Sequence, residues 1–269
     1  MRRLLAAKAA FVGLMAATQA AAEIRPGDHV SFVACPIAQD VGPEEDLCFF
    51  AENRGERFAL RTQIIEDLGP LLRHKVLVEG TVQDGPRACG GWRLEGMTSS
   101  LTELSMECNE VRPQMGEGRA PSPQALAAQA DLDARLRANP ELSVQSTPSR
   151  IPVFAGPPPK AWEMPYNFDS DRGNGPSLQI LVALVQQARR DNAGKIQVHA
   201  WRGASRLENG EVMEELEGLA ERRAKKIAGI IAGLGYPAER IETKWTERPD
   251  RPDGKTDWTK RRVRVEVAS

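Results

Sequence analysis

Apolar and polar residues alternate in a series of short runs after the N-terminal residues of the chain. A period of two is typical of strands in a half-buried sheet, because successive side chains point to opposite faces. The runs predict strands over His29–Ala34, Leu47–Glu52, Arg57–Arg61 and Lys75–Val82, with further strand material at Trp92–Leu94 and Leu104–Cys108.

A hairpin turn and a short helix complete this pattern. Arg54 and Gly55 predict a turn between the second and third strands. Ile64, Ile65 and Leu68 lie at helical spacing, which predicts a helix within Thr62–Leu72. Strands, one helix and then more strands follow the order of an OB-like barrel. Residues 23–112 are therefore predicted to form a small β-barrel of that kind.

The last part of the chain changes to the helical period. Pro176 opens a helix with an apolar stripe over Leu178–Val185. A longer amphipathic helix is marked by apolar positions over Val212–Leu234 and is closed by Gly235. Strands are predicted at Lys195–Trp201, Arg240–Lys244 and Arg262–Val267. This order predicts an α/β sandwich with helices over one sheet, so the chain as a whole is α+β.

Residues 113–150 differ in composition from both neighbouring parts. Prolines at positions 113, 121, 123, 140 and 148 interrupt regular structure. Between them, Gln124–Arg137 is rich in Ala and Leu and predicts one exposed helix. We interpret 113–150 as a linker with a helical middle, between a β domain at 23–112 and an α/β domain at 151–269.

The first 22 residues have the pattern of a secretory signal peptide. Arg2, Arg3 and Lys8 precede an apolar stretch over Ala9–Ala17, and small residues at 20–22 offer a cleavage site. A membrane anchor is the alternative, but this stretch is much shorter than the ~20 residues that cross a bilayer. We therefore expect export to the periplasm after cleavage, with possible association with the outer membrane or the cell wall.

The cysteines are even in number, which in an exported chain predicts disulfide bonds. Cys35, Cys48, Cys89 and Cys108 allow three pairings. We expect sequence neighbours to pair, Cys35 with Cys48 and Cys89 with Cys108. A metal site is the alternative, but no CxxC spacing and no His near these cysteines supports it, so no metal is predicted.

The charge balance excludes one class of function. The chain has 36 basic and 37 acidic residues, a net charge of -1, whereas nucleic-acid binders usually have a clear basic excess. The sequence contains no nucleophile elbow, no HExxH and no phosphate-binding glycine loop. We therefore expect neither an enzyme nor a cofactor.

Several short motifs follow one another in the C-terminal part, and together they resemble the OmpA-like, peptidoglycan-associated domain. The resemblance covers residues 151–269 and implies an α/β sandwich with two helices on one sheet. The motifs are Tyr166-Asn167-Phe168-Asp169-Ser170 near the first strand, Ile196-Gln197-Val198-His199-Ala200 in the second strand, Leu219-Ala220-Glu221-Arg222-Arg223-Ala224 in the long helix, Gly235 with Arg240-Ile241, and Arg261-Arg262-Val263-Arg264-Val265-Glu266-Val267 at the end.

The resemblance implies non-covalent binding of the peptide stem of peptidoglycan, usually through diaminopimelate. The side chain of diaminopimelate ends in a carboxylate and an ammonium, so a site needs a cation for the first and an anion or carbonyls for the second. In the family, an Asp after the second strand and the Arg of the Arg-Ala pair bind these groups. The Arg corresponds to Arg223, but the Asp position is Gly203. Glu208, Glu211 or Asp257 are the candidates to replace the missing anion.

Helical spacing singles out Arg223 independently of the resemblance. Arg223 lies four residues after Leu219 and four before Ile227, on or beside the apolar stripe. The alternative is a side chain that extends from the edge of the stripe to solvent.

Two functions follow as hypotheses. The first is a periplasmic envelope protein that binds peptidoglycan, with Arg223, Arg262 and Arg202 as the ligand-binding cations. The alternative keeps the fold without the ligand and makes the domain a protein–protein scaffold, in which Trp201 and Arg202 contact the partner.

Overall fold

The computed structural model describes most of the chain outside its N-terminus and its central region. The described residues are 23–40, 48–60, 72–96, 99–113, 160–173 and 175–268, with isolated helical positions at Ala127, Ala130, Asp131, Ala134 and Ala138. The predicted signal peptide lies outside this range, as do residues 62–71 of the segment predicted to hold a helix and most of the helix predicted at Gln124–Arg137. The domain boundaries remain predictions.

The N-terminal part forms two four-stranded sheets. The first sheet joins β1 (His29–Ala34), β5 (His74–Val82), β6 (Leu94–Glu95) and β7 (Ser100–Leu104), and the second joins β2 (Pro36–Gln39), β3 (Cys48–Asn53), β4 (Glu56–Ala59) and β8 (Glu110–Arg112). The OB-like barrel is therefore not confirmed, because the described strands form two sheets and do not close on themselves. The strand predicted at Leu104–Cys108 is also wrong, since β7 already ends at Leu104.

The predicted disulfide bonds form, but the predicted pairing is wrong. The bonds join Cys35 to Cys108 and Cys48 to Cys89. The reason lies in the pairing of β2 with β8, which is parallel with Ile37 opposite Glu110. Because parallel strands begin at the same end of a sheet, Cys35 and Cys108, each just before its strand, come together. Tertiary strand pairing therefore overrides proximity in sequence.

The C-terminal part contains the predicted α/β sandwich. Its sheet has the strand order β13 (Ile241–Thr246), β10 (Lys195–Trp201), β14 (Arg262–Ala268) and β9 (Ala161–Pro165), with β10 parallel to β13 and antiparallel to β14. Both helices pack their apolar residues into one core with the same face of this sheet. The elements are β9 (Ala161–Pro165), α1 (Gly175–Arg190), β10 (Lys195–Trp201), β11 (Ala204–Arg206), β12 (Val212–Glu214), α2 (Leu219–Gly233), β13 (Ile241–Thr246) and β14 (Arg262–Ala268).

The long helix starts later than predicted. Val212 belongs to β12, which forms a hairpin with β11, and Leu216 is exposed. Gly218 adopts a left-handed backbone with φ of 74°, which suits glycine and breaks the helical path before Leu219. The Glu247 carboxylate accepts hydrogen bonds from the N–H groups of Gly218 and Glu221, both at 3.1 Å, and so satisfies the start of α2.

The N-terminal and C-terminal parts share a small apolar core. Leu77 of β5 packs with Phe168 and Leu207, and Val33 and Met213 lie against them. A fully buried ion pair crosses the same interface, from Arg261 to Glu79. Among the helices that the structure describes, none is both long and apolar enough to cross a membrane.

Candidate functional site: a buried carboxylate cage

Arg223, the cation singled out by the sequence, is fully buried on α2. Each of its five N–H groups donates a hydrogen bond within the chain. Its Nη1 donates to Glu215 Oε2 at 2.9 Å and to the carbonyl of Trp201 at 3.2 Å. Its Nη2 donates to Glu215 Oε1 at 2.6 Å and to the carbonyl of Asn167 at 3.2 Å. Nε donates to the carbonyl of Ser170 at 2.8 Å. Arg223 is therefore not at the edge of the stripe, and its donors are saturated.

Glu215 receives four hydrogen bonds, which is close to the full capacity of a carboxylate. Besides the Arg223 fork, the N–H of Asp169 donates to Oε1 at 3.1 Å and the N–H of Gly203 donates to Oε2 at 2.7 Å. We call these donors, the guanidinium of Arg223 and the N–H groups of Asp169 and Gly203, the carboxylate cage. A buried ion pair compensates its desolvation only when such additional hydrogen bonds are present, and here they are.

Three separate elements position the cage. The apolar stripe of α2 buries Ala220, Ala224 and Ile227, and Arg223 shares that buried face. Asp169 has a left-handed backbone with φ of 54°, which turns the chain after β9 so that its N–H points into the cage. Gly203 follows the end of β10. The cage thus forms where the end of a strand, a tight turn and a helix meet.

The structure leaves no room for a side chain at Gly203, the position that the sequence resemblance aligned with an Asp. A Cβ at Gly203 would lie 2.2 Å from Cγ of Arg261, which is far inside van der Waals contact. Arg261 occupies this space because its far end is held by the Ser205 hydroxyl at 2.6 Å and Glu79 Oε2 at 2.5 Å. The backbone N–H of Gly203, rather than a side chain, contributes to the cage.

The other two predicted cations lie in different environments. Arg202 supports the segment that carries Glu215, because its Nε donates to the Glu215 carbonyl at 2.6 Å and its Nη2 to Glu214 Oε2 at 2.8 Å. Arg262 lies on the sheet face opposite the helices, since its neighbour Val263 belongs to the core under them. There the Arg262 guanidinium stacks over the Trp201 ring at 4.6 Å. Arg223 and Arg202 therefore adjoin the same segment, and Arg262 does not.

The candidates for a replacement anion do not adjoin Arg223. Glu208 pairs with Arg54 at 2.8 Å across the interface between the two parts. Asp257 is buried and accepts from Lys260 Nζ at 2.7 Å. Glu211 is exposed near Asn209. The anion that does contact Arg223 is Glu215, which the helical interpretation of its segment concealed. The sequence signal that could have placed Glu215 outside the helix is Gly218, which breaks the helix just before Leu219.

Burial perturbs two ionisable groups at the site. Burial raises the pKa of the Asp169 carboxyl above its ordinary value, although the N–H of Leu216 donates to it and partly opposes the rise. Burial also raises the pKa of the Tyr166 hydroxyl, over whose ring the Arg223 guanidinium lies at 4.7 Å. Within the described residues, no cluster of three or more His, Cys, Asp or Glu could hold a metal.

An open cleft lies beside the cage, between the N-terminal and C-terminal parts. Its volume is about 780 Å³, and Asp169 and Phe168 belong to its wall together with Ser31, Glu208 and Lys75. The cleft therefore brings solvent to the turn that contributes one of the cage donors.

Comparison with known proteins finds similarity to solved structures only. No family model matches the chain, and no curated protein does. The OmpA-like domain of FopA1 from Francisella tularensis is 19% identical, covers 40% of this chain and 70% of its own, and has a TM-score of 0.33. The periplasmic domain of Helicobacter pylori MotB (residues 78-256) is 12% identical, covers 40% and 75%, and has a TM-score of 0.30.

A third similar structure is the cell wall anchor of the T6SS from Pseudomonas aeruginosa, which is 16% identical, covers 40% of this chain and 80% of its own, and has a TM-score of 0.30. One of these structures is described as an OmpA-like domain, the family that the sequence motifs resemble.

Proposed function

We propose that this protein is a non-enzymatic component of the cell envelope whose C-terminal part associates non-covalently with peptidoglycan. The observation that carries the proposal is the carboxylate cage. A bidentate guanidinium and two backbone N–H groups converge on one carboxylate in a buried site. Such an arrangement selects a carboxylate over neutral groups, because only the charged acceptor compensates the buried guanidinium.

The peptide stem of peptidoglycan supplies carboxylates of this kind, and the cleft provides room for it next to Asp169. Glu215 now occupies the cage, so a stem carboxylate has to replace it. Glu215 is the one buried residue of the segment 211–218. A rearrangement of this segment alone would therefore vacate the cage, and of the apolar cores it would disturb only the packing of half-buried Met213 against the core shared by the two parts. A ligand-binding role for Arg262 remains a prediction and would require a second contact surface on the opposite face of the sheet.

Co-sedimentation with purified sacculi tests the proposal, with a single and a double variant at the cage. Glu215→Ala vacates the cage and should increase retention relative to the wild type. The double variant Glu215→Ala with Arg223→Ala removes the guanidinium as well as its internal partner and should abolish retention. Arg222→Ala, one residue away and exposed, is the matched control and should behave as the wild type.

Two outcomes would overturn this assignment. If neither the wild type nor Glu215→Ala sediments with sacculi, the association with peptidoglycan is wrong. If the double variant is retained as well as Glu215→Ala, peptidoglycan binds elsewhere and the cage is not the site.

The second candidate is the protein–protein scaffold, and one observation is compatible with it. All five N–H groups of Arg223 are satisfied by the chain itself, as they would be in a site that no longer takes a ligand. Crosslinking in intact cells separates the two candidates. A single dominant protein partner without a glycan-linked product supports the scaffold, whereas crosslinks to the cell wall support peptidoglycan binding.

A further inference from the structure

The N-terminal part supports both backbone donors of the cage. The hydroxyl of Ser100, at the start of β7, accepts a hydrogen bond from the N–H of Phe168 at 3.0 Å. The next N–H along the chain is that of Asp169, which donates to Glu215. Ser100 is fully buried, so this contact holds the turn at Asp169 in place without competition from water.

The second donor is supported through Arg261. Glu79 of β5 is almost fully buried and pairs with Arg261, which is fully buried. The aliphatic part of Arg261 lies directly against Gly203, since a Cβ added to Gly203 would lie only 2.2 Å from Cγ of Arg261. The N–H of Gly203 then donates to Glu215. Loss of the Glu79 contact would therefore release the side chain that presses on this donor.

The segment that carries Glu215 is held by the N-terminal part as well. It extends from the β11–β12 hairpin, in which the N–H of Glu208 donates to the carbonyl of Ser31 at 2.9 Å. The side chain of Glu208 accepts from Asn53 Nδ2 at 2.9 Å and pairs with Arg54 at 2.8 Å. The N-terminal part thus contacts both the donors of the cage and the segment that carries Glu215.

We propose that the N-terminal part acts as an intramolecular lock on the carboxylate cage. In the docked arrangement, the contacts of Ser100, Glu79 and Glu208 hold Glu215 in the cage and exclude an external carboxylate. When these contacts are released, Glu215 leaves and the cage accepts a carboxylate from outside the chain. In the wild type, where Glu215 is the occupant, docking and external carboxylate binding therefore oppose each other, and by linkage each weakens the other by the same factor.

The biological role of the lock rests on the proposed function, because the lock would regulate the same site. Its physical test requires no peptidoglycan. Glu215→Ala deletes a CH₂–COO⁻ group, which acetate reproduces with one added hydrogen. Acetate should therefore raise the melting temperature of Glu215→Ala, because a ligand that binds only the folded state stabilises it. Chloride at equal ionic strength should not have this effect. Glu217→Ala, an exposed neighbour, should show no difference between the two salts.

Hydrogen exchange of the cage amides tests the lock itself. The lock predicts that Glu79→Gln accelerates exchange of the Gly203 and Asp169 N–H groups by roughly tenfold, within the range of ordinary coupling between sites. The amide of Val198, in the buried core of β10, should keep its wild-type rate. Glu95→Gln, on the exposed side of the neighbouring strand β6, is the matched control and should change neither amide.

Ser100→Ala provides a second, milder variant in case Glu79→Gln does not fold, and it should accelerate exchange mainly at Asp169. Unchanged exchange at both amides in Ser100→Ala and in folded Glu79→Gln overturns the lock, even if acetate stabilises Glu215→Ala. Failure of acetate to stabilise Glu215→Ala shows that the cage takes no external carboxylate and overturns the lock together with the use of the cage. If acetate stabilises Glu215→Ala and the cage amides exchange faster, but the protein is not retained on sacculi, the lock is supported and only the assignment of peptidoglycan as the ligand is rejected.

Discussion

Gly203→Ala is the substitution that most directly tests the packing around the cage. The added Cβ would lie 2.2 Å from Cγ of Arg261, 3.1 Å from its Cδ and 3.4 Å from its Cβ. Cγ lies in the inner part of the side chain, whose far end is fixed by Glu79 and Ser205. An overlap of this size cannot be relieved by a small shift, so Arg261 has to leave its position.

The expected cost follows from what Arg261 leaves behind. Without Arg261, the carboxylate of Glu79 is buried and uncompensated, and loss of one partner of a buried ion pair typically costs about 3–5 kcal/mol. We therefore expect Gly203→Ala to lower the free energy of unfolding by about that amount. Gly229→Ala, on the exposed face of α2 with open space around its Cβ position, is the matched control. It should stabilise the protein by up to ~1 kcal/mol, because alanine favours helix.

Urea unfolding of a double-mutant cycle checks the reasoning. In an Arg261→Ala background the clashing Cγ is absent, so Gly203→Ala should cost much less than in the wild type. A coupling energy above ~1 kcal/mol is expected for residues in direct contact. If Gly203→Ala costs the same in both backgrounds, Arg261 is not the reason for a glycine at this position.

Three further predictions concern the ion pairs and disulfides. Glu215→Gln should lower the free energy of unfolding by about 3–5 kcal/mol, since it leaves a buried guanidinium uncompensated, whereas exposed Glu217→Gln should be close to neutral in the same urea titration. Burial works to raise the pKa of Asp257, but hydrogen bonds from a lysine and from backbone N–H groups lower it below its ordinary value of 3.8. The ionised carboxylate of Asp257 therefore adds to the free energy of unfolding above pH 3.8, and this contribution is lost as the pH falls through the lowered pKa. Asp257→Asn should reduce the loss of unfolding free energy between neutral and acid pH; an unchanged pH dependence would contradict the lowered pKa. Replacing Cys48 and Cys89 together by Ser should lower the free energy of unfolding by about 2–5 kcal/mol. In the wild type, peptide mapping under non-reducing conditions should recover these two cysteines in one disulfide-linked fragment.

The C-terminal part shows how far periodicity carries a prediction. Ile196, Val198 and Ala200 alternate along β10, and the stripe of α2 repeats at helical spacing, so strand and helix follow from local pattern alone. The spacing also placed Arg223 on or beside the apolar stripe of its helix, and in the structure its side chain is fully buried. Periodicity failed at Val212, because Val212 of the hairpin strand β12 and the exposed Leu216 happen to continue the helical stripe until Gly218 interrupts it.

The N-terminal part shows why some features require the tertiary structure. The presence of disulfides follows from the cysteine count and the expected export, but their pairing depends on β2 lying parallel to β8. No local pattern encodes which distant strands become neighbours, because that choice is made by the packing of the whole sheet. The same limit explains why the order of strands did not distinguish a barrel from two sheets.

The sequence by itself determined the types of most elements and the place of Arg223 on or beside the apolar stripe of its helix, because these depend on residues a few positions apart. The tertiary structure alone decided that Glu215 occupies the cage, that Arg261 fills the space above Gly203 and that Glu79 holds Arg261 from the other part of the chain. A buried charge takes whichever opposite charge the completed fold brings within hydrogen-bonding distance, and residues 182 positions apart in sequence can meet only after the chain has folded.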